Sequence, residues 1–217
     1  MSPQRKQPAA SDEAESIAAI ILAAGPRNTL PFPKALARFG GSTAIERAVQ
    51  NCSIAPGFGP VVVVLGSEAV AVRKAWKPPR GVIVVRNAQW RQGQLSSLRA
   101  GLRRISANAP FLIYPVDYPL LFPGLLARLR WSYIHRAEHE RLVVPVIGKR
   151  DGHPVLAAPD LRAEFLRAHT AREVVHNPKE QRRILRVAVR DTAIFRDFDS
   201  VSTYRLCVQL VRSRFRA

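Results

Sequence analysis

Residues 16–34, SIAAIILAAGPRNTLPFPK, decide the expected fold. The apolar run at residues 17–22 is typical of a buried central strand, and residues 23–25 then form a turn of small residues with accessible backbone amides. Lys34 follows nine residues after the glycine of that turn. Backbone amides and an ammonium group together suit a nucleotide phosphate, although an ordinary strand-to-helix turn offers the same small residues.

Length and composition indicate one globular domain. The chain has 217 residues, of which 47% are hydrophobic, and no apolar run is long enough to cross a bilayer. Residues 1–16 are polar and lack the features of a secretory signal, so they are expected to form a flexible tail before a domain at residues 17–217. Cys52 and Cys207 are far apart and form no disulfide framework, which favours a reducing cytoplasm.

The strong positive charge favours anionic partners. The formal net charge is +18, from 34 basic and 16 acidic residues, and the isoelectric point is near 11.4. Nucleotides, phosphorylated substrates and nucleic acid all fit this charge. The arginines are scattered, and no aromatic-interleaved basic module is present, so an arginine-rich surface explains them better than specific nucleic-acid binding.

Strand and helix patterns alternate along the chain, which predicts an α/β fold with a doubly wound, mostly parallel sheet. Strands are expected at 17–22, 61–65, 82–85, 111–116, 142–147, 153–157 and 184–189, and helices at 44–52, 67–76, 94–105, 123–138, 160–168, 170–176 and 201–211. The strands at 142–147 and 153–157 are expected to form a small antiparallel hairpin, inserted or at the edge. Ligands of such sheets bind beyond the carboxyl ends of the strands, where the loops after Leu22, Leu65, Val85 and Val116 would meet.

Two acidic segments suit a metal ion. Asp117 directly follows a predicted strand, and Asp197 and Asp199 follow the last one. Mg²⁺ takes one or two carboxylates and leaves its other positions to water and phosphate. Asp117 could also be a turn residue, and Asp199 a helix cap. The residues alone leave the choice between Asp197 and Asp199 open.

A polar loop follows the third predicted strand. Asn87, Ser96 and Ser97 can hydrogen-bond a nucleobase or ribose, and Gly93 permits close approach of a ligand. Serines also cap helices, so this loop alone favours a structural role.

Five segments in order along the chain resemble a known family. They are LAAG at 22–25 with Lys34, NAQWRQGQLSSLRAGL at 87–102, VDYP at 116–119, GHPV at 152–155 and DFDSVSTY at 197–204. Together they resemble the nucleotidyltransferases of the molybdopterin-guanylyltransferase and molybdenum cofactor cytidylyltransferase type. The resemblance extends from residue 17 to residue 204.

The resemblance implies a Rossmann-like sheet and a Mg²⁺-dependent transfer of a nucleoside monophosphate. An oxygen of a phosphorylated or hydroxylated anionic acceptor would attack the α-phosphate of a nucleoside triphosphate, CTP or GTP being favoured, and pyrophosphate would leave. The implied nucleotide-binding residues are Leu22, Ala23, Ala24, Gly25, Asn87, Gly93, Ser96 and Ser97. Lys34 would contact the phosphates, Asp117 and Asp199 would hold Mg²⁺, and His153 would line the acceptor side, unless it is simply a packed hairpin residue.

The chain departs from the family pattern at two places. The loop at 26–31 has Thr29 where the family has an arginine and Pro31 where it has a glycine, so Arg27 is expected to supply the catalytic positive charge. A later Gly-Asp-x-Gly-x-Arg segment keeps only Arg172, which is placed on the acceptor side, and molybdopterin is not the expected acceptor. These departures keep open a second hypothesis, a catalytically degenerate nucleotide-binding regulator or scaffold, while the charge alone supports a basic nucleic-acid-binding protein.

Overall fold

The strand at the start of the sequence lies in the middle of the sheet. The computed structural model describes residues 16–214, without the side chains of residues 178, 179 and 182. Except for Ser16, the expected N-terminal tail lies outside the described residues. The strands are β1 (Ile17–Ala23), β2 (Arg38–Phe39), β3 (Ser42–Thr43), β4 (Phe58–Leu65), β5 (Val82–Arg86), β6 (Phe111–Pro115), β7 (Leu142–Ile147), β8 (Arg150–Asp151), β9 (Val155–Ala157) and β10 (Ile184–Ala188).

Helices connect most of these strands, as the alternating pattern predicts. They are α1 (Ala44–Ile54), α2 (Ala69–Ala75), α3 (Gln94–Leu102), α4 (Pro123–Ile134), α5 (Arg162–Arg167), α6 (Ala171–Val175) and α7 (Val201–Arg214). The first helix has a clear start signal. The Thr43 hydroxyl accepts a hydrogen bond from the Glu46 amide, and the Glu46 carboxylate accepts one from the Thr43 amide, which satisfies two backbone donors at the helix start.

The main sheet has the strand order β10-β7-β9-β6-β1-β4-β5, and β8 pairs with β7. Apart from β8 and β9, its strands run parallel. The described chain is therefore a single α/β domain with a mostly parallel sheet, as expected. The antiparallel pair of β7 and β9 is also confirmed. It is inserted within the sheet, because β9 pairs with β6 on its other side.

The side chains of β1 alternate between two hydrophobic layers, since a strand directs successive side chains to opposite faces. Ile17, Ala19 and Ile21 pack on the face covered by α1, α2, α4 and α7. Ala18, Ile20 and Leu22 pack on the face covered by α3, α5 and α6. A strand that is buried on both faces is necessarily apolar throughout, which explains the run at residues 17–22. Within residues 16–214, no helix is long and apolar enough to span a membrane.

Candidate active site

The loops that leave β1, β4, β5 and β6 meet at the carboxyl edge of the sheet, and backbone hydrogen bonds tie them together. The Ser67 amide donates to the Ala24 carbonyl at 3.0 Å, and the Val116 amide donates to the Leu22 carbonyl at 3.1 Å. Gly66 is required for this close contact. A Cβ atom there would lie 2.5 Å from the Ala24 carbonyl oxygen, so a larger residue would push the first loop away from the second.

Lys34 brings two acidic segments together at this edge. Its ammonium group forms an ion pair with the Asp199 carboxylate and lies 3.7 Å from Asp117 Oδ2. The Phe198 amide also donates to the Asp117 carbonyl at 3.2 Å, which holds the chain beside Asp199 against the loop after β6. Three residues that are distant in the sequence therefore form one charged cluster.

The local field around Asp117 favours a positive charge. The pKa of the Asp117 carboxyl is raised from 3.8 to about 6, mainly by burial, while Lys34 lowers it and the nearby carboxylates of Asp199 and Asp197 add smaller upward contributions. An anion in such an environment is stabilised by any cation that approaches it. The cluster is thus suited to a divalent cation or to a cationic side chain.

Asp197 and Asp199 have different surroundings. Asp199 pairs with Lys34, whereas Asp197 contributes to a raised pKa of both the Tyr118 phenol and the Cys207 thiol. Burial is the larger cause of both shifts. The structure therefore brings Asp199, the residue that the resemblance favours, to Lys34.

Aromatic packing holds the segments that flank Lys34 and Asp199. The ring of Tyr204 packs edge-on against Phe32 and Phe39, with centroid distances of 5.0 and 5.4 Å, and Phe39 packs against Phe198 at 5.0 Å. Sequence reasoning missed these phenylalanines as supports of the site. The sequence did contain a signal for them. Phe32 and Phe39 lie in the connection between β1 and α1, and large apolar side chains in a connection indicate that it packs against the rest of the protein.

Arg27 is separate from this cluster. Its guanidinium donates to both oxygens of the Glu68 carboxylate, at 3.0 and 2.9 Å, and this partner raises the pKa of Arg27. Glu68 directly precedes α2. In the described part of the chain, the structure does not bring Arg27 into contact with Lys34 or Asp117, the other residues expected to be catalytic.

A pocket of about 240 Å³, named here the glycine-loop pocket, opens beside Asp117. Of the residues expected to bind nucleotide, Leu22, Ala24, Gly25, Gly93 and Ser97 line it, whereas Ala23, Asn87 and Ser96 do not. Its other lining residues are Pro26, Trp90, Gln94, Pro115 and Asp117.

Asn87 and Ser96 hold the loop that carries Gly93. The Asn87 amide donates to the hydroxyls of Ser96 and Ser97 at 2.8 and 3.0 Å, and the Ser96 hydroxyl bonds the carbonyls of Gln89 and Gly93. All three polar side chains are buried. The structural role that the sequence also allowed for this loop is therefore present. Gly93 adopts a φ of 89°, which favours glycine.

A second pocket of about 250 Å³, named here the histidine pocket, adjoins the first, since Leu22 and Gln94 line both. His153 and Arg172, the residues expected on the acceptor side, both line it. Burial lowers the pKa of His153 to about 4, with a further contribution from His176. The imidazole is consequently neutral at pH 7. Its Nδ1 atom is buried and has no hydrogen-bond partner among the described residues.

The donor set at Asp117 suits a metal ion that also binds a ligand. Among residues 16–214, no group of three or more His, Cys, Asp or Glu side chains is arranged to hold a metal. Asp117 and Asp199 form a pair of carboxylates around one ammonium group. Mg²⁺ is commonly held by one or two carboxylates together with substrate phosphates, so this pair fits the ion when a phosphate ligand completes the shell.

Solved structures with similar folds cover most of this chain. Rv0371c from Mycobacterium tuberculosis H37Rv has 26% sequence identity and a TM-score of 0.76, with 90% of this chain and 98% of that chain covered. A manganese complex of Rv0371C has the same identity and a TM-score of 0.70, over 90% and 99% of the two chains.

A nucleotidyl transferase from Methanothermobacter thermautotroptrophicus, Mth528, has 23% identity and a TM-score of 0.76, with 91% of this chain and 99% of that chain covered. At this identity the likeness shows the fold alone.

A comparison with curated protein sequences gives no significant match. The MobA-like NTP transferase domain matches residues 19–192. This match spans more than half of the chain, including the glycine loop, Lys34, Asp117 and the histidine pocket, and the chain therefore belongs to the family of MobA-like NTP transferase domains.

Proposed function

We propose that this chain is a divalent-metal-dependent nucleotidyltransferase that transfers a nucleoside monophosphate from an NTP to a phosphorylated or hydroxylated small-molecule acceptor. The observation that carries the proposal is the cluster of Lys34, Asp117 and Asp199, which borders the glycine-loop pocket through Asp117. A second pocket next to it provides room for an acceptor. CTP and GTP are the first nucleotides to test, because the sequence resembles cytidylyl- and guanylyltransferases.

The proposed reaction needs positioning and charge neutralisation more than a dedicated base. An acceptor oxygen forms a bond to the α-phosphorus, the bond from that phosphorus to the bridging oxygen breaks, and pyrophosphate leaves with the electron pair. Where the acceptor oxygen is a hydroxyl, its proton is released to solvent. The backbone at Ala24 and Gly25 borders the nucleotide, and Lys34 places a positive charge at its phosphates. Lys34 must then leave its ion pairs with the aspartates, at least in part.

Asp117 and Asp199 would hold the divalent cation, either Mg²⁺ or Mn²⁺. Such an ion, when bound, neutralises charge on the triphosphate and on the departing pyrophosphate. The manganese complex of Rv0371C supports a divalent ion in this fold. The raised pKa of Asp117 supports it independently, because a buried carboxylate beside other carboxylates gains from a cation.

Pyrophosphate release tests the proposal. The purified protein is incubated with each of the four NTPs, Mg²⁺ or Mn²⁺ and a panel of phosphorylated and hydroxylated acceptors. We expect acceptor-dependent release with at least one NTP, and about a 100-fold decrease in Asp117→Asn, a loss typical of a group that stabilises transition-state charge. Asp160→Asn is the matched control, since Asp160 pairs with Arg141 at the surface. An equal loss in both variants would contradict the assignment of Asp117.

A second candidate function is nucleotide binding without turnover. The observation that favours it is the bidentate pair of Arg27 with Glu68, because the arginine expected to replace the missing family arginine is already bound. Nucleotide binding without pyrophosphate release across the acceptor panel would support this candidate. Glu68→Gln releases Arg27 from its carboxylate, so an increase in turnover in this variant would show that the pair restrains catalysis.

A further inference from the structure

The walls of the histidine pocket are mainly apolar. They are formed by Leu22, Leu98, Ile113, Val144, Val155, Ala171 and Val175. The polar side chains around the pocket are Gln94, Asp151, His153, Arg172 and His176. At about 250 Å³, the pocket is slightly smaller than the usual range for small-molecule sites, which favours a small ligand. A ligand with many polar groups would leave them without partners against the apolar walls, which is unfavourable.

The polar part of the pocket carries one unneutralised positive charge. The Asp151 carboxylate is already engaged by Arg186, at 2.9 and 3.2 Å, and lies 3.7 Å from His176 Nδ1. Within the described residues, Arg172 has no hydrogen-bonded or ion-paired partner for its guanidinium. Arginine is well suited to a carboxylate or phosphate, which it binds through two parallel hydrogen bonds. The charge of the pocket therefore favours an anion at Arg172.

His153 adds a neutral polar contact. Its Nδ1 atom is buried without a partner in residues 16–214, so Nε2 is the ring nitrogen that can bond to a molecule in the pocket. The ring packs against Tyr118, with centroids 4.8 Å apart, which fixes its position. The neutral imidazole adds no second positive charge to that of Arg172.

The arrangement of the two neighbouring pockets limits where the reacting oxygen of an acceptor can lie. Leu22 and Gln94 border both pockets, whereas Arg172 borders only the histidine pocket. A molecule held by its anionic group at Arg172 can reach the glycine-loop pocket only with a different group. That second group must reach the α-phosphate of a nucleotide past Leu22 and Gln94.

We propose that the acceptor is a small bifunctional anion, with a carboxylate or phosphate held by Arg172, an apolar body along the pocket walls, and a separate oxygen that attacks the nucleotide. This inference rests on the proposed function for the identity of the attacking oxygen. The pocket's preference for an apolar anion does not depend on it. An acceptor of this kind is small and partly apolar, so a large, highly polar acceptor is excluded.

Binding of simple probes in the absence of nucleotide and metal tests this preference. Phenylacetate and benzyl phosphate combine an apolar body with an anion, benzyl alcohol has the body alone, and acetate and inorganic phosphate have the anion alone. We expect at least one of the first two to bind about 10-fold more tightly than benzyl alcohol and than its own small anion, as measured by ligand-observed NMR titration. The stronger of the two distinguishes a carboxylate from a phosphate.

Two variants connect that binding to this pocket. Arg172→Met removes the charge and should weaken the probe about 10-fold, whereas Arg167→Met, an exposed arginine at the end of α5, should leave it unchanged. Ala171→Phe fills the pocket from the start of α6 and should abolish probe binding without altering nucleotide binding. Equal binding of phenylacetate, benzyl phosphate and their small anions, or no effect of Arg172→Met, would overturn the inference.

Failure of this inference and failure of the proposed function give different results. Arg172-dependent probe binding without pyrophosphate release would refute transfer and leave the pocket assignment standing. Turnover of an identified acceptor that is insensitive to Arg172→Met would refute the role of Arg172 and leave the nucleotidyltransferase standing.

Discussion

His153, the largely enclosed histidine of the histidine pocket, makes stability depend on pH in a defined way. Burial lowers the pKa of His153 from 6.5 to about 4, so the folded chain binds a proton there less readily than the unfolded chain does. The contribution of His153 to the free energy of unfolding is therefore largest above pH 6.5 and falls as the pH decreases toward 4. The difference between 6.5 and about 4, at 1.36 kcal/mol per pH unit, gives about 3 kcal/mol.

Urea unfolding of the wild type and His153→Gln at pH 7.5 and pH 4 measures this effect. Glutamine does not titrate, so the stability of the wild type relative to the variant should decrease by about 3 kcal/mol between the two pH values. His139→Gln changes an exposed histidine and should give no such decrease. If His153→Gln and the wild type lose stability in parallel, the imidazole is not held neutral by burial and the reasoning is wrong.

Three further variants test the site and its support. Lys34→Met should bind Mn²⁺ alone about 10-fold more tightly, because Asp117 and Asp199 lose their ammonium partner. The same variant should bind NTP about 10-fold more weakly, because it lacks the positive charge proposed to contact the phosphates. Calorimetry measures both affinities, and an unchanged Mn²⁺ affinity would contradict this prediction. Asn87→Ala should lower the free energy of unfolding by about 1–3 kcal/mol in urea, since it removes buried hydrogen bonds, and weaker NTP binding should accompany it. Thr43→Ala should cost about 1 kcal/mol through loss of the α1 cap and leave NTP affinity unchanged.

The order and type of the main elements could be predicted because their signals are local. A strand buried on both faces must be apolar throughout, and residues 17–22 and 61–65 meet that requirement. The ends of helices were less predictable. The helix expected to continue to residue 138 ends at Ile134, since the hydrophobic pattern does not specify where the chain leaves the core. The two-residue strands β2 and β3 are too short to produce a periodic signal.

The position of β9 illustrates what local pattern cannot supply. Residues 155–157 are apolar and clearly a strand, and the turn before them indicated an antiparallel pair. Whether that pair forms an edge or an insertion depends on which strand it meets next. That neighbour is β6, more than 40 residues earlier in the sequence. Such a pairing is decided by tertiary packing, and the sequence of neither strand indicates its partner.

The placement of the site residues could likewise be predicted where it depends on local motifs, and not where it depends on tertiary contacts. Lys34, Asp117 and Asp199 each adjoin a recognisable motif, and their meeting could be anticipated because parallel strands end at one edge. The directions of polar side chains could not be anticipated. Asn87 and Ser96 turn into their own loop, and Arg27 binds Glu68, because each finds a nearby partner that a linear sequence does not reveal.

The altered loop at residues 26–31 does not by itself displace Lys34. The end of that loop is held by Phe32 against Tyr204, and the Tyr204 hydroxyl donates to the Arg38 carbonyl at 2.9 Å on the other side of Lys34. Tyr204 of α7, which lies outside the loop, therefore holds the segments on both sides of Lys34. We therefore expect the departure from the family pattern to change the charge near Lys34 more than the position of Lys34. For the transfer proposed above, the element missing from the family pattern would be a second cation near the phosphates of the nucleotide, and Arg27 would have to release Glu68 to supply it.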